Sequence, residues 1–194
     1  DSEMPSTVPL EERFQRYITA FTVLSSVDNI ELALAGADHP EINVDTSKVG
    51  IWGHSNGGHI ALSVLAITGE DYPTTLWAPV SKPFPYSILY YTDEFEDKGK
   101  ALRSAVADFE KNYESTDYSV TKYLDRIKAP IILHQGEADD AVPNAWSDEL
   151  AKALISIGID LTYHTYPGDD HNFSQGGWDT VVGRDIAFFE KHFK

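Results

Sequence analysis

The sequence predicts an α/β fold in which a parallel sheet carries helices on both faces, within a single domain of 194 residues. Three observations support this. An apolar, β-branched run at 48–53 meets Gly53-His54-Ser55-Asn56-Gly57-Gly58 and passes at once into an apolar helical pattern. Further apolar runs at 74–79, 129–134 and 161–166 alternate with helical spacing, as parallel strands joined by crossover helices do. Ser55, Asp139 and His171 all fall in loops leaving the carboxyl ends of expected strands, the edge at which open α/β sheets hold ligands.

Each element follows from local chemistry. Phe14, Ile18, Phe21, Val23, Leu24, Val27, Ile30, Leu32 and Leu34 have a broadly helical spacing over 10–36. The Ala35-Gly36-Ala37-Asp38-His39-Pro40 stretch stops it, because glycine ends helices and the residue before proline avoids the helical region. A strand is expected at 48–53, a helix at 55–68 closed by Gly69, and a short strand at 74–79. The stretch from about 80 to 125 exceeds an ordinary connection, holds helical patterns near 98–113 and 119–127, and reads as a lid or insertion. Tyr86, Ile88, Leu89, Tyr90 and Tyr91 within it suit either an apolar substrate pocket or the lid's own core. A strand at 129–134, a helix at 144–157, a strand at 161–166 and a helix at 178–192 complete the chain.

Composition bounds the function. A formal charge of −16 argues against nucleic-acid partners, since phosphates would be repelled. It suits neutral or cationic small molecules. Without cysteine there is no disulfide, thiolate metal site or cysteine nucleophile. No run of eighteen apolar residues is present to span a membrane, and no basic start followed by an apolar stretch marks a signal peptide. A soluble protein, cytoplasmic rather than secreted, is the expectation.

The chemistry centres on Ser55. In Gly-x-Ser-x-Gly between strand and helix, the serine takes an uncommon backbone conformation that lifts its hydroxyl clear of the sheet. Side chains at positions 53 and 57 are expected to collide with the neighbouring strand and helix. The backbone N–H of Asn56 would then face a developing oxyanion. Downstream, the loops 135–143 and 167–173 supply carboxylates and an imidazole. By residue type alone, Asp139 and Asp140 are equal candidates for the acid. Asp169, Asp170, His171 and the nearby His164 are metal-ligand types, but their spacing lacks a helical or Cys/His ligand pattern. No metal or cofactor is called for. His54 and His59 flank the turn as packing or pocket-wall residues, and His39, His134 and His192 have no assignable partner.

Together these stretches resemble the α/β-hydrolase family, particularly its dienelactone-hydrolase-like and prolyl-oligopeptidase-like members. Gly53 to Gly58 looks like the family's nucleophile elbow, His134 to Pro143 is similar to its acid loop, and Tyr166 to Phe173 to its histidine loop, in the family's order. The resemblance covers 28–194. It implies Ser55 as nucleophile, His171 as general base and then acid, and Asp139, the first aspartate after the glycine, as the orienting carboxylate. Asn56 would donate to the oxyanion, while His54, Tyr86, Tyr90 and Val142 are pocket candidates. One departure matters. The family's sheet begins with several strands before the elbow, and a loop there supplies a second oxyanion donor, whereas the preceding residues here read as helix. The sheet is therefore expected to be completed by a missing segment or by association with another copy.

The function expected from this set is cleavage of carboxylic esters through an acyl-enzyme, with a prolyl-oligopeptidase-type serine peptidase as the alternative. A third reading makes the chain a partner-dependent module that binds ligands without turning them over.

Overall fold

The computed structural model describes residue 45 and residues 47–193, so the helices expected over 10–36 lie outside the described residues. Four strands, β1 (Ile51–His54), β2 (Thr74–Trp77), β3 (Ile131–Gly136) and β4 (Leu161–Tyr166), pair in parallel in sequence order. His54 lies level with Trp77, Trp77 with His134, and His134 with His164. The carboxyl ends of the strands therefore share one edge. Helix α1 (Asn56–Thr68) follows β1, α4 (Asn144–Ser156) follows β3 and α5 (Trp178–His192) follows β4. Between β2 and β3 run the short α2 (Tyr86–Leu89), α3 (Lys100–Phe109) and three 3-10 turns.

Strand ends fall where the backbone chemistry changes. Pro130 cannot donate to a ladder, and β3 starts after it, although the Pro130 carbonyl still accepts from Thr74 N–H at 3.0 Å. β2 stops at Trp77 because Ala78 turns to a φ of 41°, and the extended run expected to 79 is shorter by two residues. α1 ends as expected at Gly69, whose φ of 67° is left-handed and whose N–H closes on Leu65 at 2.9 Å. The helical pattern near 119–127 is a 3-10 segment (Val120–Arg126) kinked at Tyr123.

Alternation of side chains divides the core. Leu76, Ile131 and Leu133 on one sheet face pack against Leu62 and Leu65 of α1, Leu150 and Leu154 of α4, and Leu124 of the 3-10 segment. On the other face Trp77 and Tyr166 meet Phe173 and Val181, the latter from α5. The excursion between β2 and β3 has a small core of its own, in which Phe84, Leu102 and Val106 gather Ile88, Leu89, Phe95 and Phe109.

One polar knot crosses the α5 face. The Asp185 carboxylate of α5, buried, accepts from Thr75 Oγ1 at 2.6 Å, Trp77 Nε1 at 2.7 Å and His134 Nε2 at 2.9 Å. His134 Nδ1 lies 2.7 Å from the Tyr166 hydroxyl, which also accepts from Arg184. His134, without an assignable partner by sequence, is thus held at both ring nitrogens by β4 and α5. A buried polar group needs such partners to offset lost hydration.

Candidate active site

Ser55 sits between β1 and α1 with φ 56° and ψ −119°. This backbone strain is held from both sides: Ser55 N–H donates to Trp77 at 2.8 Å, and the Ser55 carbonyl accepts from Gly58 and Val80 at 3.1 and 3.0 Å. A Cβ on Gly53 would lie 2.6 Å from the Gly57 carbonyl oxygen and 2.8 Å from Gly58 Cα. The expectation for position 57 is corrected: a Cβ there meets nothing within 4 Å. The tight second glycine is Gly58, where a Cβ would come within 2.5 Å of Pro79 Cβ, because the turn folds α1 against the chain leaving β2. Asn56 is the first residue of α1, where a backbone N–H has no acceptor within the helix and stays available to a ligand. His59 Nδ1 lies 2.8 Å from the Val80 carbonyl, and burial lowers the pKa of its ring.

Asp139 follows β3. Its Oδ1 accepts from the N–H groups of Ala141 and Val142 at 2.9 and 2.8 Å, and its Oδ2 from Gln135 Nε2 at 2.9 Å and His171 Nδ1 at 2.8 Å. Its side chain is fully shielded from solvent. Burial pushes the carboxyl pKa up, but the hydrogen bonds from His171, Val142 and Gln135 outweigh it, leaving the pKa below its ordinary value. Asp140 does not enter this arrangement.

The acid and histidine loops are laced to each other. Glu137 N–H donates to Tyr166 and Ala138 N–H to Asp169, at 3.0 and 2.9 Å. Gly136 allows this approach, since a Cβ there would stand 2.4 Å from the Asp170 carbonyl oxygen. Asp169 caps the Gln175 and Gly177 N–H groups. Asp170 accepts from the Asn172 and Ser174 N–H groups and the Ser174 hydroxyl, contacts that lower its pKa to about 2. Both carboxylates beside His171 therefore serve the loop. Phe173, wholly buried between Trp77 and Tyr166, anchors it.

The loop brings His171 to the elbow. His54, the last residue of β1, has its Nε2 3.0 Å from the His171 carbonyl oxygen, and the two rings stand 4.5 Å apart between centroids. Among the described residues no hydrogen bond joins the Ser55 hydroxyl to His171, whose contacts are with His54 and Asp139. The other pocket candidates gather around a residue that sequence reasoning missed. Tyr86 and Tyr90, both exposed, and Tyr91 all contact the ring of Trp146, while Val142 is buried beneath with Trp146, Ala78 and Val80. The Tyr91 hydroxyl is buried without a hydrogen-bond partner among the described residues. Burial, with Tyr90, Asp139 and Tyr86 nearby, raises its pKa. Gln135 was also missed. Its signal was a glutamine closing the otherwise buried run Ile131–His134, and it holds Asp139 while its own Oε1 accepts from Ser147 at 2.6 Å.

A sequence profile described as the prolyl oligopeptidase family matches residues 26–194. The chain belongs to the prolyl oligopeptidase family. This is a serine-hydrolase family of the α/β-hydrolase fold, and the membership agrees with the resemblance carried by the three loops. Among curated relatives, the dipeptidyl aminopeptidase BIII of Pseudoxanthomonas mexicana is 29% identical over 136 residues, 66% of this chain and 19% of that protein. Dipeptidyl peptidase 4 of Felis catus is 30% identical over 134 residues, 69% of this chain and 17% of that protein. An S-formylglutathione hydrolase of Arabidopsis thaliana is 27% identical over 134 residues, 67% of this chain and 44% of that protein. The chain thus spans about a fifth of the length of the peptidases it matches. A puromycin hydrolase structure aligns with TM-score 0.64 at 24% identity, over 84% of this chain and 24% of that one. A puromycin-hydrolysing peptidase from Mycobacterium tuberculosis aligns with TM-score 0.60 at 24% identity, over 83% and 24%. These neighbours share the fold. Among the described residues no helix is long and apolar enough to cross a membrane.

Proposed function

We propose that this chain carries the catalytic site of a serine hydrolase that cleaves acyl compounds, peptides or esters, through an acyl-enzyme. The observation that carries the reading is the 2.8 Å bond between Asp139 and His171 Nδ1, on a loop whose His171 carbonyl meets His54, the residue before a serine whose backbone is held at φ 56°. A carboxylate only accepts, so Nδ1 bears the proton and Nε2 is left free to take one from Ser55. Ser55 Oγ attacks the carbonyl carbon as its proton passes to His171, and Asp139 stabilises the imidazolium. The Asn56 N–H donates to the oxyanion. His171 then protonates the leaving amine or alcohol, and water, deprotonated by the same imidazole, releases the acid.

Peptidase chemistry is at least as well supported as ester cleavage, because peptidases lead the curated relatives. Ester or thioester cleavage draws its support from the S-formylglutathione hydrolase, of which the chain covers the larger share. Tyr86, Tyr90, Tyr91 and Trp146 would wall the pocket, with Val142 at its base. The 80–125 excursion, with its separate core, would act as a lid or insertion. β1 pairs on one side only among the described residues, and a strand from elsewhere in the protein or from a second copy would complete it.

A fluorophosphonate reacts only with an activated serine, so it tests the reading directly. Wild type should label at Ser55, and Ser55→Ala and His171→Ala should not. Equal labelling of His171→Ala would remove the assigned base, and absence of labelling in the wild type would favour a binding module. Rates on p-nitrophenyl acetate against dipeptidyl p-nitroanilides divide esterase from peptidase.

A further inference from the structure

His54 was expected to wall a pocket, yet its polar contact is with the candidate base. Its Nε2 lies 3.0 Å from the carbonyl oxygen of His171. A carbonyl only accepts, so Nε2 carries the hydrogen and the neutral ring donates. That carbonyl accepts from no backbone N–H among the described residues, which leaves the His54 bond as the tie on the backbone of residue 171. The side chain of the same residue is tied separately, through Nδ1 to Asp139. The two ties come from different strands: His54 ends β1, one residue before Ser55, and Asp139 follows β3.

The position of His54 in the chain gives the contact its meaning. The residue immediately before the nucleophile is fixed to the sheet by its pairing with Trp77, and Ser55 N–H is fixed to the same strand. Any shift of the His171 loop relative to β1 must stretch the His54 bond. Phe173 anchors the loop two residues further on, with its ring contacts to Trp77 of β2 and Tyr166 of β4. The ring of His54 also stands face-near to His171, with 4.5 Å between centroids and 36° between planes, and Trp52 and Trp77 flank it. The titratable groups facing it are His171 and Asp139. Burial and the neighbouring His171 lower its pKa, outweighing the His171 carbonyl and Asp139, so at neutral pH the ring is an uncharged donor and does not repel the imidazolium formed at His171.

We propose that His54 is a positioning residue, whose Nε2–H holds the His171 backbone to the nucleophile strand and so sets the distance between base and serine. This rests on the reading of Ser55, Asp139 and His171 as the catalytic set.

The test compares His54→Phe, which keeps a flat ring without the donor, with His54→Gln, whose amide N–H reaches a similar point. Rates are measured per active site, counted by burst titration, on p-nitrophenyl acetate and butyrate, beside fluorophosphonate labelling of the same samples. His54→Phe should lower kcat by about 10- to 100-fold with KM nearly unchanged and the same factor for both esters, as a small misplacement of a reacting group does. His54→Gln should recover most of this loss. Equal losses in Phe and Gln would show that the donor is not what matters. A loss in KM that differs between acetate and butyrate would make His54 a pocket wall. Either result overturns the inference, as would wild-type rates in His54→Phe. Ser55→Ala and His171→Ala run alongside: if they label like the wild type, the catalytic reading itself has failed, whereas if they are silent and His54→Phe is normal, only the positioning role falls.

Discussion

Replacing Asp185 by alanine should destabilise the fold more than any change on the surface. The carboxylate is 7% exposed and receives three donors from three side chains, Thr75, Trp77 and His134. Their responses to its loss differ. The Thr75 hydroxyl can rotate, and His134 can move its proton to Nδ1 and donate to Tyr166, but the Trp77 indole is only a donor and has nowhere else to turn. Each buried group left unpaired costs about 1–3 kcal/mol, and removing one side of a buried charged cluster typically costs about 3–5 kcal/mol. With partial relief at Thr75 and His134, a loss of about 3–5 kcal/mol is expected for Asp185→Ala, a large share of the 5–15 kcal/mol typical of a domain. Asp185→Asn should cost less, about 1–2 kcal/mol, because its oxygen can face Trp77 while its amide meets Thr75 and a His134 ring that has switched tautomer. Urea unfolding followed by tryptophan fluorescence and far-ultraviolet circular dichroism measures both. An alanine variant within about 1 kcal/mol of wild type, or an asparagine variant worse than alanine, would refute the account.

Other outcomes follow from the site. Asp139→Asn should cut turnover by roughly 10³–10⁴-fold with little change in KM, since the amide can present a donor to Nδ1 and favour the wrong tautomer; steady-state kinetics on p-nitrophenyl acetate checks it. The same variant tests linkage. Asp139 has a folded-state pKa below its ordinary 3.8, so its contribution to stability is present above that value and is lost as pH falls through the folded pKa. The gap in urea midpoint between wild type and Asp139→Asn should therefore close as pH falls below 3.8. Gly57→Ala should be neutral or stabilise by roughly 0.5–1 kcal/mol, as alanine for glycine in an open helical position does. Gly53→Ala, which drives a methyl into backbone, should cost about 1–3 kcal/mol and abolish fluorophosphonate labelling. Thermal unfolding and labelling of the pair would show it.

The elements that sequence reasoning placed best were those whose ends have a chemical cause. β4 and α5 were expected at the bounds observed, and α1 stops at Gly69 as expected. The triad candidates were legible because each lies in a loop whose composition is dictated by chemistry. What was hidden depended on partners far along the chain. His134 reads as a lone histidine in an apolar strand until Asp185 and Tyr166 fold onto it, from 51 and 32 residues away. Gln135 and Trp146 were missed for the same reason, since neither spacing nor periodicity reveals that one grips Asp139 and the other receives three tyrosines. The error at Gly57 came from treating the two motif glycines as equivalent. Backbone packing singles out Gly53 and Gly58, the second of which the five-residue motif does not include.

The knot on α5 also bears on the order in which the chain can settle during synthesis. Thr75 and Trp77 emerge 110 and 108 residues ahead of the aspartate that satisfies them, an interval of roughly 5–20 s at ordinary translation rates of about 5–20 residues per second. Throughout that interval the α5 face of β2 has polar groups that cannot be buried without loss, so the half-made sheet is better kept hydrated than collapsed. The nascent chain is thereby discouraged from closing early around an incomplete core, and arrival of α5 becomes the event that commits it.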